Sequence, residues 1–444
     1  MPKFYRYHQR RPDLNAFDLL SLAEPCFYWA EPGSANAWSG RGIIASLKAG
    51  GTGRFQEIKR DAEELLSQVE DLNSAPVSKR LFGGFSFTPD SLSPAWNGFS
   101  EAEFILPRLQ INRSGNETWL TICRPTGPGL TLETLEKEAS SVRRVWGLPA
   151  AALQNLNDEI SFEDWQEMIE SAVRDIRAGK LSKVVLSRAR SAEFDGDLNP
   201  LPALKKLDQN YPNTYRFLFS PRAHETFLGA TPELIARVSN REMFSVAMAG
   251  SIGRGNSDTE DNLLAEELLH SAKDRSEQEI VVRAIRAGLE PVTSNLKIPA
   301  SPGIRRLANI QHLETPVSGK LNPGRSVVDV VEVLHPTPAL GGIPRKLALD
   351  FIAKHESTRR GWYGGPVGWL DEHGDGTFAV AIRSALLTGN QALLYAGAGI
   401  VEGSNPREEW KEIELKFKPL MDALAASGIQ LKRQVPILAG CDEK

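Results

Sequence analysis

Apolar residues recur at helical spacing in three stretches of the chain. Over 55–72, Ile58, Ala62, Leu65, Leu66 and Val69 share one face and predict a helix. Behind Ser161, a residue type that caps helix N-termini, Phe162, Trp165, Ile169, Val173 and Ile176 repeat the pattern, and Gly179 supplies the stop. Trp410, Ile413, Phe417, Leu420 and Leu424 do the same over 406–425. A long helical region is expected over 259–288. Another helix is expected over 346–355, opened by Pro344 at a first-turn position where its missing N–H costs little. Lys183-Val184-Val185-Leu186-Ser187-Arg188 reads as a strand with apolar residues on both faces, and two more strands follow at 215–219 and 226–238. Residues 361–401 read as three antiparallel strands, turning at His373-Gly374-Asp375-Gly376 and at Gly389-Asn390. The first 155 residues read as short strands separated by turns, with the one helix at 55–72. Blocks of strands and helices, without strict alternation, predict α+β layering with largely antiparallel sheet. The small, polar stretch 148–158 separates an N-terminal part (1–155) from a second region (158–425), and 426–444 forms a tail.

Composition narrows the class. Of 444 residues, 41% are hydrophobic and 24% charged, the balance of a folded chain. Fifty-two Lys and Arg against 56 Asp and Glu leave a net charge of −4 with no long basic run, so a nucleic-acid partner is not expected. Cys26, Cys123 and Cys441 are scattered and odd in number, which argues against a disulfide framework and for a reducing, cytoplasmic setting. No apolar run approaches the roughly 18 residues of a membrane span, and no apolar segment follows the charged first eleven residues as in a secretory signal. These features point to a cytoplasmic enzyme.

Several residues sit oddly in their surroundings. Lys183 heads a strand otherwise made of Val and Leu; it is either a strand-edge device against aggregation or a buried amine of depressed pKa, as a general base requires. Glu233, in the apolar segment 227–235, follows a Thr-Pro bend that ends or kinks a strand. Buried, it would keep its proton and act as an acid; on an edge strand it is a surface glutamate. Gly50, Gly51 and Gly53 lack the Gly-Lys-Ser/Thr ending of a phosphate loop and read as a turn. Ala249-Gly250-Ser251-Ile252-Gly253 misplaces its glycines for a dinucleotide fingerprint, and a bend whose N–H groups hold a carboxylate fits better. The run Lys273-Asp274-Arg275-Ser276-Glu277-Gln278-Glu279 reads as a solvated helix face, and Glu409, Glu412 and Lys416 share a stripe of the last helix. The alternative is that Glu277 meets a carboxylate of the last helix across a cleft and holds Mg²⁺, a hard cation that takes oxygen ligands. Arg383 interrupts an apolar strand, either facing water or gripping a substrate carboxylate. No His-Glu-x-x-His, G-x-S-x-G or Cys-x-x-Cys occurs, and the seven histidines are dispersed.

In order along 161–425, nine segments resemble the chorismate-utilising enzymes, and isochorismate synthases in particular. They are Lys183-Val184-Val185-Leu186-Ser187-Arg188, 227–235, Ala249-Gly250-Ser251, Lys273-Asp274-Arg275-Ser276-Glu277, and His335-Pro336-Thr337-Pro338-Ala339-Leu340-Gly341-Gly342. The last four are Tyr363-Gly364-Gly365-Pro366-Val367-Gly368-Trp369, Ala381-Ile382-Arg383, Ala396-Gly397-Ala398-Gly399 and 404–416. The resemblance implies two antiparallel-rich sheets stacked face to face, helices outside and a cleft between. It implies a Mg²⁺-dependent isomerisation of chorismate, in which Lys183 activates water for attack at C2 and Glu233 protonates the departing C4 hydroxyl. Glu277 and Glu412, with Glu409 nearby, would carry the Mg²⁺. Arg383, Lys416 and the backbone of Gly397 would hold the enolpyruvyl carboxylate, and Gly250 and Ser251 would lie against the ring carboxylate. Ala339 and Leu340 would belong to the substrate pocket. Anthranilate synthases usually lack the lysine and take ammonia from a glutaminase, and aminodeoxychorismate synthases carry a nucleophilic lysine where Ala249 stands. Water is therefore the expected nucleophile and no glutaminase partner is expected. Salicylate synthases, which go on to eliminate pyruvate, tend to have threonine in place of Ala339 and rank second; a non-catalytic chorismate-binding relative is the remaining alternative. Gln278 departs from the family, where a histidine usually follows the metal glutamate. The wording around Gly341-Gly342 and Gly361-Trp362-Tyr363 looks closer to menaquinone-pathway members than to siderophore ones.

Overall fold

The computed structural model describes residues 2–21, 23–142, 151–306 and 310–425. The 426–444 tail, Cys441 and the first residues of the 148–158 stretch lie outside the described residues. The N-terminal part contains β1 (Phe4–Arg10), β2 (Cys26–Ala30), β3 (Ala37–Ala49), α1 (Arg54–Ser67), β4 (Val69–Asp71), β5 (Arg80–Phe85), β6 (Ala102–Ser114), β7 (Glu117–Pro125) and α2 (Leu132–Ser141). The second region runs β8 (Leu153–Asp158), α3 (Phe162–Arg177), β9 (Lys183–Phe194), α4 (Pro200–Asn210), β10 (Tyr215–Arg222), β11 (Glu225–Thr231), β12 (Leu234–Ser239) and β13 (Glu242–Gly253). It continues with α5 (Asp258–His270), α6 (Ala272–Leu289), β14 (Thr293–Lys297), β15 (Gly303–Arg306), β16 (Ile310–Leu321), α7 (Val327–Leu334), β17 (Gly342–Ile343) and α8 (Arg345–His355). It ends with β18 (Pro366–Asp371), β19 (Gly376–Val380), β20 (Ser384–Thr388), β21 (Gln391–Ile400) and α9 (Pro406–Ala425).

The architecture is α+β, and among the described residues only β1 and β4 pair in parallel. One hydrogen-bonded network links all the described strands, and it divides at the 13-residue β6. From one edge of β6 an arm runs β3, β2, β10, β11, β20, β21, β9; from the other, a second arm runs β5, β18, β19, β12, β13, β16. The two arms fold face to face over an aromatic core. Phe27 of β2 stacks on Phe82 of β5 with centroids 3.8 Å apart, and Trp38 of β3 meets Trp369 of β18 at 5.9 Å. The expected stacked layers are thus present, but they are continuous through β6. N-terminal strands supply both arms, so the two parts of the chain share one core. No helix among the described residues is long and apolar enough to cross a membrane.

Several element boundaries differ from the periodicity. The helix expected over 55–72 ends at Ser67, because Val69 leaves the helical face to be buried in β4 beside β1. A second N-terminal helix, α2, escapes the pattern; its Thr131 and Thr134 form a capping box. The 259–288 region is two helices, since Ser271 closes α5 and caps α6 by accepting from Asp274 N. The 226–238 segment splits at Pro232-Glu233, and 361–401 carries four strands, the extra break falling at Ile382-Arg383, where Arg383 has φ +52°.

Candidate active site

The open end of the cleft between the arms is walled by β9 and β21 from one arm, by β13 from the other and by the β11–β12 bend that joins the two. The lids are α6 and α9. In β9, alternation buries Val184 and Leu186 in the core and turns Lys183 and Val185 to the cleft. β17 pairs with Lys183 on one edge, β21 covers the other, and the residue is 9% exposed. This excludes the strand-edge reading. Across the ladder, Gly399 leaves room for the lysine: a Cβ there would sit 2.8 Å from Lys183 Cε. Lys183 Nζ donates to Glu277 of α6.

Glu233 occupies the bend after Pro232, where its N–H donates to Thr231 Oγ1 (3.2 Å) and its carbonyl accepts from Val380 N (2.9 Å). Burial of its carboxyl pushes the pKa up to about 7, against the pull of Lys183 and Lys416 in the other direction. It is therefore the desolvated carboxyl of the two alternatives.

On the facing wall, Gly250 forms a bulge in β13 with φ +71°, and a Cβ there would meet the Asp274 side chain at 3.0 Å. His312 of β16 directs Nδ1 to Gly250 O at 3.3 Å. Because a carbonyl only accepts, the ring donates; burial, reinforced by Lys416 and Arg383, lowers its pKa to about 4 and keeps it neutral. From α9, Lys416 Nζ donates to Gly397 O (2.7 Å) and pairs with Glu412 (2.6 Å). Burial lowers the Lys416 pKa. Burial raises that of Glu412, but Lys416 beside it brings the net shift down; burial raises Glu409. Arg383, also lowered by burial, reaches Lys416 O at 3.4 Å. α9 is held on β9 by Arg190, which bridges Glu414 (2.7 Å) and Asp158 (2.9 Å).

These elements enclose a cavity of about 320 Å³. Lys183, Glu233, Gly250, Ser251, Glu277, Ala339, Leu340, Arg383, Gly397, Glu409, Glu412 and Lys416 all line it, so the twelve residues expected to form the site converge there. The charged helix run is not simply a solvated face, since Glu277 points into the cavity. Gln278 points the other way, donating to Ala247 O and Thr315 Oγ1 (2.9 Å each), and so docks α6 on the sheet without touching the carboxylates. Sequence reasoning passed over His312, which lies in no motif, and Tyr363, quoted in a motif but given no role. Tyr363 stacks on Tyr395 at 4.9 Å and brings its hydroxyl against Gly397.

Among the described residues, no three of His, Cys, Asp and Glu stand close enough together to hold a metal ion. The cavity does offer three carboxylates, Glu277, Glu409 and Glu412, two of them paired with lysines. That donor set fits Mg²⁺, which takes one or two protein carboxylates and completes its shell with water and substrate oxygens.

An acid held near neutrality, a buried lysine and clustered cations inside a two-armed antiparallel fold fit an enzyme that works on a small anionic substrate. The chorismate binding enzyme family matches residues 3–425, and the chain belongs to that family. Over 415 residues it is 37% identical to the salicylate biosynthesis isochorismate synthase of Pseudomonas aeruginosa, covering 91% of this chain and 86% of that protein. Over 412 residues it is 34% identical to isochorismate synthase MenF of Bacillus subtilis, covering 90% and 87%. The solved structure of MenF, the menaquinone-specific isochorismate synthase of Escherichia coli, superposes with a TM-score of 0.82 at 28% identity, covering 95% of each chain.

Proposed function

We propose that the chain is an isochorismate synthase, an isomerase that moves a hydroxyl group of chorismate from C4 to C2. The observation that carries this reading is the joint placement of Lys183, on β9, and Glu233, in the bend between β11 and β12, on the wall of one cavity, with the carboxyl held near neutrality by burial. Lys183 takes a proton from water as its oxygen bonds to C2; the ring double bonds shift, and the C4–O bond breaks as Glu233 protonates the leaving hydroxyl. One water is consumed and one released, and solvent returns the proton from the lysine to the carboxylate. Arg383, Lys416 and the Gly397 backbone hold the enolpyruvyl carboxylate, and the bulge at Gly250-Ser251 faces the ring carboxylate, with Ala339 and Leu340 as the apolar wall. Glu277 and Glu412, with Glu409 beside them, would hold a Mg²⁺; when bound, the ion supplies a positive anchor for the ring carboxylate. Ala249, also on the cavity wall, brings no amine to compete with water, which supports a reaction without ammonia or a glutaminase.

Similarity to MenF over most of the chain supports the menaquinone pathway, and the Pseudomonas relative supports the same reaction ahead of a different consumer. Incubation with chorismate and Mg²⁺, followed by chromatography, tests the assignment. Isochorismate is expected; salicylate with pyruvate would make this a salicylate synthase, and unchanged chorismate would contradict both.

A further inference from the structure

β9 carries the proposed base, yet one of its edges is incomplete. β17 covers residues 183–184 and β8 covers 190–194, and between them no strand among the described residues pairs with that edge. Two side chains from beyond α8 fill the gap. Glu356 accepts from Ser187 N (2.7 Å), and Arg360 donates to Val185 O (2.7 Å). The two are joined to each other: Arg360 Nε donates to Glu356 Oε2 (2.8 Å) and its Nη2 to Oε1. Arg360 is 3% exposed and lies over the Phe87 ring at 4.3 Å. Its remaining arm donates to Leu340 O (3.1 Å), in the turn that forms the apolar cavity wall, and its own carbonyl accepts from Tyr363 N (2.9 Å).

We infer that the Arg360–Glu356 pair is a surrogate strand segment and the positioning device of the active site. It fixes Lys183 and Val185, Leu340 and Tyr363 relative to one another without entering the cavity. The geometry is specific to a guanidinium–carboxylate fork. A lysine at 360 keeps the charge but cannot reach two carbonyls and two carboxylate oxygens at once. The inference rests on the reading of Lys183 as base.

The test compares the parent with Arg360→Lys and with the double variant Glu356→Leu/Arg360→Met. Replacing a buried ion pair by apolar residues of similar size is often neutral for stability, whereas removing one partner alone is not. Chorismate turnover, KM, thermal stability and hydrogen exchange over 183–190 are measured for each. Misplacement of a reacting group by about 1 Å costs on the order of 100-fold. Both variants are therefore expected to lose about 10- to 100-fold in kcat with a smaller change in KM, and to exchange faster at 185–187 well below their melting temperatures. A folded Arg360→Lys with kcat within about twofold of the parent overturns the inference, as does a loss that only tracks the folded fraction; should the double variant not fold, Arg360→Lys decides. A parent that leaves chorismate unchanged would instead sink the functional reading, and hydrogen exchange alone would then judge the brace.

Discussion

Lys183 and Glu233 were conspicuous in the sequence because each breaks an apolar run, but composition could not say whether either was buried. The answer lay in partners distant along the chain: β17 and β21 flank the lysine, and the Thr231-Pro232 bend turns the carboxyl into the cleft. Loss of Lys183 as Lys183→Ala is expected to reduce kcat by about 10²- to 10⁴-fold, the usual contribution of general base catalysis, while chorismate binding measured by titration is retained. Glu233 predicts a pH limb. As a proton donor it works protonated, so kcat should fall as pH rises through about 7, and a limb unmoved by Glu233 substitution would assign it elsewhere. The same group carries a stability signature. Its folded pKa lies above the ordinary glutamate value of about 4.3, so the folded state holds the proton more tightly. The cost of the buried carboxylate is absent at low pH, grows as pH rises, and is complete above about 7. Glu233→Gln should then abolish turnover yet stabilise the protein at pH 8 by on the order of 2 kcal/mol, with little gain at pH 4. Equal melting shifts at both pH values would contradict this.

Helices α6 and α9 turn their acidic groups to the same cavity, and they differ in how much of them periodicity could reveal. α9 was legible end to end because Ile413, Phe417, Leu420 and Leu424 form an unbroken buried stripe. α6 was merged with α5 because the break at Ser271 consumes no glycine or proline; one serine closes the first helix with its N–H, which donates to Glu267 O, and caps the second with its hydroxyl. The cap matters to the site, since it sets the direction in which Asp274 and Glu277 leave the helix. A change at a group that merely supports a metal ligand costs about 10- to 100-fold in affinity, so Glu412→Gln is expected to raise the Mg²⁺ concentration for half-maximal activity by at least about tenfold. Full activity in excess EDTA would remove the metal from the account. His312 and Tyr363 were missed for a related reason: their placement depends on β16 and on the Tyr395 stack, and neither leaves a periodic trace.

At the scale of the molecule, alternation along strands announced an antiparallel α+β protein, but not that β6 would feed both layers. Branching is a property of hydrogen-bond registers between strands far apart in sequence, which residue patterns do not encode. The branch is what creates the site: the arm ending at β9 presents the amine, the arm passing through β12 and β13 presents the carboxyl and the bulge, and the aromatic core holds the two at a fixed spacing. With a separate group for each proton transfer, the hydroxyl gained at C2 is expected to come from water and not from the hydroxyl leaving C4. The direct measurement is turnover of chorismate in ¹⁸O-labelled water, with the isolated product analysed by mass spectrometry. One ¹⁸O atom located at C2 is the predicted result. Isochorismate formed without label would show that the hydroxyl migrates within the substrate and would contradict the account.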